Sequence, residues 1–222
     1  MLPNQRSNFR RARFTTLGLR LHLDASLPAT VIRDGSNFVS AWNDKSGAGR
    51  HMVQATQANK PQFQVTGLGG LGAIQFDGVD DEVVLPINSI FNTPSVTFEV
   101  WANLQEINDR HILYVNWTGN ALEVNSDRSV VMFNYSNTAG QVGSQTTSGA
   151  INWNVWTHFV GTYDDSSQTL RTYINGVLLA TRTSTPSTVY SVYVHKISGT
   201  NFLGLLSILK CSKKSTKNRQ IE

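Results

Sequence analysis

The chain has 222 residues, 40% of them apolar and 17 of them glycine, with a formal net charge of +4. That length suits one all-β sandwich with a substantial core and does not call for a second domain. A single cysteine, Cys211, excludes an intrachain disulfide and a thiolate metal cluster. No apolar run reaches the length of a membrane span, and residues 1–16 lack the apolar stretch of a secretory signal. The expectation is a soluble chain without a signal peptide and without membrane insertion.

The charge is unevenly placed. Residues 1–20 carry five arginines and no acid, and residues 196–222 carry six Lys or Arg against one Glu. The stretch between them holds eight basic and fourteen acidic residues, a net of −6. This divides the chain into a basic arm over 1–15, a domain over 16–211 and a basic tail over 212–222. Arg6, Arg10, Arg11 and Arg13 of the arm suit an acidic neighbouring subunit or an anionic surface. Nucleic acid is disfavoured as a partner, because no aromatic side chains interleave with the arginines.

In chain order, Leu17, Leu19, Leu21 and Leu23 alternate at period two and predict a half-buried strand. Asn43, Asp44, Ser46, Gly47 and Gly49 then read as a turn-rich loop. "AIQFDG" and "DEVVLP" are two short strands, or one strand bent at Gly78, with Asp77, Asp80, Asp81 and Glu82 between the apolar runs. Val96, Phe98, Val100 and Ala102 alternate with Thr97, Glu99, Trp101 and Asn103. "RHILYVNW" and "SVVMFNY" are further strands joined by polar turns. Strands through Phe159 and through Leu170 and Ile174 flank "DDSSQ". Asn175 and Gly176 then form a two-residue hairpin turn in which both take positive φ. "STVYSVYVHKI" is one more β-branched and aromatic run. No segment of helical length has an apolar stripe. Roughly ten to thirteen strands with short turns predict a two-sheet antiparallel β-sandwich, a jelly roll.

The acids at 77–82 admit three uses. A carboxylate in a turn accepts backbone N–H bonds. Several oxygens in a short loop suit Ca²⁺, with Asp77, Asp80 and Asp81 as the candidate ligands. Glycoside hydrolysis needs a positioned carboxylate pair; here Glu99 stands alone on its strand and Glu106 lies beyond the strand end. His22, His51, His111, His158 and His195 show no metal-ligand spacing. The reading is a non-enzyme with no obligatory cofactor, open to weak calcium. Trp101 and Trp156 read as packing residues, and Trp42 as an anchor for its loop. Trp117 and Trp153, in Asn- and Gly-rich segments, are the candidate ligand platforms. Asn116 and Thr118 form a glycosylation acceptor motif, relevant only in a glycosylating compartment.

Taken together, "LHLDAS", "VSAWNDKSGAGRHMVQATQANKPQF", "IQFDGVDDEVVLP", "VTFEVWANL" and "NVWTHFVGTYDDSSQTLRTYINGVLLAT" follow one another as they do in a known family. From Leu17 to Ile221 the chain resembles the laminin-G-like, concanavalin-A-like jelly-roll superfamily, in its pentraxin-like branch. The resemblance implies that Asp77 sits at a turn or beside a calcium ion. It also implies an acidic pair in the closing strand, where this chain has Ser207 and Ile208. The Glu-x-Asp-x-x-Glu pattern of the superfamily's glucanases is absent. Stand-alone copies resemble phage and other viral structural proteins and bacterial surface proteins. The implied function is a structural and recognition module of a virion or cell-surface assembly, contacting protein subunits or cell-surface glycan through its loops. A calcium-assisted lectin is the alternative, and a glycoside hydrolase the least favoured.

Overall fold

The computed structural model describes residues 18–85, 95–116, 119–136, 140–183, 195–198 and 202–213. Arg6, Arg10, Arg11 and Arg13, Leu17 and Trp117 lie outside the described residues. The strands, in chain order, begin with β1 (Leu19–Asp24), β2 (Val31–Arg33), β3 (Val39–Trp42), β4 (Met52–Val53) and β5 (Gln62–Gln64). β6 (Ala73–Asp77), β7 (Glu82–Leu85), β8 (Val96–Leu104), β9 (His111–Asn116), β10 (Asn120–Val124) and β11 (Val130–Ser136) follow. Then come β12 (Gly140–Gln145), β13 (Trp156–Asp164), β14 (Thr169–Ile174), β15 (Val177–Arg182), β16 (His195–Ser198) and β17 (Leu203–Lys213). Three 3₁₀ turns are the only helical pieces among the described residues.

Two antiparallel sheets face each other. One runs β15-β14-β13-β8-β17-β6-β5, with β1 beside the second half of β17. The other runs β12-β11-β10-β9-β16-β7-β4-β3-β2. The alternation that predicts β8 has a physical basis: Val96, Phe98, Val100, Ala102 and Leu104 are buried, and the residues between them face outward. The core between the sheets gathers Leu21, Leu23, Trp42, Phe63, Phe76, Phe159, Tyr163 and Leu209. Burial of such apolar side chains is the main favourable term in folding. Cys211 is buried in that core, and burial pushes its thiol up.

The opening and closing strands are adjacent, His22 opposite Lys210 and Leu23 opposite Leu209. β17 changes neighbours at Ser207: Leu203 to Leu206 pair with β6, and Ile208 to Ser212 with β1. It continues to Lys213, past the domain end read at Cys211. Asn175 (φ 50°) and Gly176 (φ 80°) make the predicted turn between β14 and β15.

Among the described residues the seventeen strands are more than the alternation reveals. β2, β4 and β5 have two or three residues each, too short for a period to emerge. β12, "GQVGSQ", is polar and glycine-bearing, and pairing with β11 forms it. The 74–86 segment is not one bent strand. β6 belongs to the first sheet and β7 to the second, so the acids lie where the chain crosses between sheets.

Candidate functional site

The crossover from β6 to β7 is a carboxylate turn. Asp77 Oδ1 accepts the backbone N–H groups of Val79 (2.8 Å), Asp80 (3.3 Å) and Asp81 (3.4 Å). Asp81 Oδ2 accepts the N–H of Asp77 at 2.9 Å, closing the turn from the other side. Gly78 has φ 80°, and a β-carbon there would stand 2.9 Å from that of Leu203. A larger residue at 78 therefore meets both a strained backbone and the closing strand. Asn59 Nδ2 donates to the carbonyl of Asp80, and Gln54 Nε2 to that of Glu82.

One ligand oxygen from each of Asp77, Asp80 and Asp81 lies within 4.8 Å of the others, with Asp77 and Asp80 exposed and Asp81 buried. Burial and the neighbouring Asp77 charge push the Asp81 carboxyl up to about 6, and Asp80 adds to the effect. The donor set is three hard oxygens with excess negative charge, which fits a divalent cation such as calcium. Glu82 is not part of this group; its carboxylate pairs with Lys196 at 2.7 Å.

Several residues converge on this end of the sandwich. Leu203 is opposite Asp77 in the ladder, and Phe202 packs edge-on against Phe76 at 4.9 Å. The Leu203 carbonyl accepts the N–H of Gln105, whose own carbonyl accepts His111 Nε2 at 3.0 Å. His111 is fully buried between Phe202 (5.8 Å) and Trp153 (5.5 Å). Burial lowers it to about 4, against the raising effect of the Gln105 hydrogen bond. Trp153 is half-buried and packed on the core. The structure thus brings Asp77, Asp80 and Asp81 together, and Trp153 connects to β6 only through the ring contacts of His111 and Phe202. Spacing along the chain shows His111 no partner, because its partners come from the distant 105, 153 and 202 segments.

Other singled-out residues take different places. Trp42 is buried in the core. Trp101 stacks on His158 at 4.8 Å on the outer face of the first sheet. Glu99 lies beside them, 3.4 Å from His158 Nε2 and 3.1 Å from Lys210 Nζ. His158, with Lys210, holds this carboxyl below the usual range despite its burial. Such a group stays anionic and is poorly suited to donate a proton to a leaving group. Ser207 Oγ donates to the Gly72 carbonyl, away from the Asp77 turn, and supplies nothing to it.

The loop after β3 shows what its Trp-x-Asp-x-Ser-Gly run does. Asp44 Oδ1 accepts the N–H groups of His22 (2.9 Å) and Ser46 (2.8 Å), and Oδ2 accepts Ser46 Oγ (2.7 Å) and the Arg50 N–H (3.1 Å). Lys45 pairs with Asp24 at 2.9 Å. This carboxylate fastens the loop to β1 and has no coordination left to offer.

Known folds arrange their strands similarly. The binding domain of botulinum neurotoxin serotype D superposes with a TM-score of 0.67 at 10% identity, over 91% of this chain and 49% of that one. The chain therefore spans about half of that domain. Domain 4 of AbnA, a GH43 extracellular arabinanase from Geobacillus stearothermophilus, solved with arabinotriose, gives 0.61 at 16% identity, over 88% and 92% of the two chains. The CBM40 of the Ruminococcus gnavus IT-sialidase, bound to alpha2,3 sialyllactose, gives 0.54 at 12% identity, over 66% and 91%. At such identities the likeness carries the fold alone. No curated protein matches the chain in sequence. Residues 77–206, from the carboxylate turn into the closing strand, match the family model described as the concanavalin A-like lectin/glucanases superfamily. That stretch is more than half of the chain and contains the crossover, the central hairpin and most of both sheets, so the protein belongs to the concanavalin A-like lectin/glucanase superfamily.

Proposed function

We propose that the chain is a non-catalytic recognition module that binds glycan at the loop rim, with a divalent cation held by Asp77, Asp80 and Asp81. One observation carries this reading: three carboxylates converge within 4.8 Å, and one of them is buried among like charges. A cation would stabilise that arrangement by supplying the missing positive charge. The sugar-bound structures among the similar folds support glycan as the ligand class. Half-buried Trp153, packed against His111, is the candidate indole platform, since sugar rings present apolar C–H faces. Trp117 is retained as a second platform candidate. His158 and Lys210 hold the Glu99 carboxyl below the usual range, which suits it poorly to the general-acid step of hydrolysis and favours a binding role.

A glycan array run with calcium and with chelator tests this. Binding that falls on chelation and in Asp81→Asn supports it. Binding indifferent to both removes the cation from the reading, and no glycan bound under either condition overturns the recognition role.

We further propose a basic arm at 1–15, a domain from 16 and a basic tail, with Arg6, Arg10, Arg11 and Arg13 reaching the acidic face of a neighbouring subunit. The setting would be a virion or cell-surface assembly of the pentraxin-like branch. Its support is the charge contrast between the +5 segment at 1–20 and the −6 body. Exposed charges of this kind contribute modestly and are screened by salt. Deleting residues 1–13 should leave the melting temperature unchanged and weaken self-association at low salt in analytical ultracentrifugation. Equal association of both forms would count against the arm.

A further inference from the structure

His111 stands at one end of the sandwich, where β9 begins, and its ring is fully buried. Nε2 lies 3.0 Å from the Gln105 carbonyl. A carbonyl oxygen only accepts, so Nε2 carries the proton and donates it. Nδ1 is then a bare lone pair, buried without a hydrogen-bond partner. The neutral ring tolerates this at modest cost. Protonation would place a second N–H where no acceptor stands, and a full charge out of water.

No opposite charge offsets it. The segment joining β12 to β13 presents Trp153 and has no titratable side chain from Thr146 to Val155. Ahead of the closing strand come Phe202 and then Leu203, with Asp77 across the ladder from Leu203. β10 sets Val124 opposite His111, and the neighbouring Glu123 is paired with Arg110 at 3.5 Å. Glu106 and Asp109 follow Gln105 in the chain. None of these charges governs the ring, whose proton affinity is set by burial against the Gln105 hydrogen bond.

The ring's two aromatic neighbours differ in their reach to solvent. Phe202 is fully buried and packed on Phe76, whereas Trp153 is half-buried. The Trp153 segment is tied to β8 by the Asn154 N–H, which donates to the Leu104 carbonyl at 2.7 Å. The next residue, Gln105, donates its N–H to the Leu203 carbonyl at 3.0 Å and accepts from His111. The indole segment, the start of β17 and the histidine therefore all hang on the consecutive residues Leu104 and Gln105.

We propose that His111 is an acid-sensitive latch: protonation drives its ring out past Trp153 and opens this end of the sandwich locally, releasing the Trp153 segment and the start of β17 while the two sheets stay paired. This goes beyond the recognition reading and does not depend on what the chain binds. In the open state the ring titrates near an ordinary 6.5, against about 4 when closed. Opening should therefore increase about tenfold per pH unit as the pH falls from 6.5 toward about 4, and stay level above 6.5.

Hydrogen exchange of the full chain across that range, corrected for the intrinsic rate at each pH, tests this. The Gln105 and Asn154 amides should lose protection with that slope, while those of Val100 and Phe159, paired in the middle of the first sheet, keep theirs. His111→Gln, whose amide still donates to the Gln105 carbonyl but takes up no proton, should flatten the slope. Asp81→Asn should leave it in place, which separates the latch from the carboxylate turn. Loss at Gln105 and Asn154 that persists in His111→Gln overturns the latch, and so does equal loss at all four amides. If His111→Gln fails to fold, nitrogen NMR of the unmodified chain decides. A ring protonated at Nε2 that resists a second proton to about pH 4 supports the latch, and one protonated at Nδ1 or titrating near 6.5 overturns it.

Discussion

Asp44 and Asp81 are both aspartates in polar turns beside a strand, and their surroundings treat them in opposite ways. Asp44 collects four donors, two on each oxygen, from β1 and from its own loop. Despite the cost of burial, the Ser46 hydroxyl and the backbone donors hold it below the usual carboxylate range. Asp81 has one backbone donor on Oδ2 and the Asp77 charge beside it, and it is pushed up to about 6. A turn carboxylate is stabilising when donors outnumber neighbouring acids, and destabilising when they do not. The first arrangement is closed structure. The second leaves room for a cation.

Substitutions should separate these two behaviours. Asp44→Ala removes four acceptor contacts and should cost the most, about 3–4 kcal/mol in urea unfolding. A loss under 1 kcal/mol would show that the loop is held by other means.

Acid titration of stability gives a smaller and more informative effect. Asp81 holds its proton more tightly folded than unfolded, so acidification from about 6 toward 3.8 stabilises the fold. His111, at the same end, works in the opposite direction. Folding lowers it from 6.5 to about 4, so its stabilising contribution is intact above pH 6.5 and is lost as the pH falls through that window. The two offset each other in the native chain. His111→Gln should remove an acid penalty of about 2–3 kcal/mol and leave a protein that gains stability between pH 6 and 4. Asp81→Asn should stabilise the protein at pH 7 by about 1–2 kcal/mol and steepen its acid loss. Melting temperatures from pH 4 to 7 for the three proteins check this, and parallel curves would refute both assignments.

The same contrast sets the scale for calcium. Because Asp77 Oδ1 is already committed to three backbone donors, binding should be weak. At ten times the Kd, linkage contributes about 1.4 kcal/mol. Asp81→Asn should abolish that increment and Asp44 variants should keep it.

Much of the fold was legible in advance. Period-two runs marked β1, β8 and β14, and the Asn175–Gly176 pair marked the hairpin tip, because alternation and positive φ are local properties. The turn role of Asp77 was equally local, since the N–H donors to its carboxylate are Val79, Asp80 and Asp81. The short strands β2, β4 and β5 were illegible, because their pairing is decided by their neighbours in the sheet. Among the described residues no helix is long and apolar enough to cross a membrane.

By itself the sequence determined that the chain is built of strands, where its sharp turns fall, and that four acids crowd the segment from Asp77 to Glu82. Those features depend on alternation, backbone sterics and adjacency along the chain. Only the tertiary structure decided that β6 and β7 lie in different sheets, and that Leu203 and Asn59 close around the turn between them. It likewise decided that Glu82 leaves the acid group for Lys196, and that Glu123 is buried beside Arg110. The charge state of a carboxylate depends on desolvation and on charges a few ångströms away; for Glu99 and Glu123 those charges come from His158, Lys210 and Arg110, set beside them by the fold, whereas Asp81 also feels its chain neighbours Asp77 and Asp80.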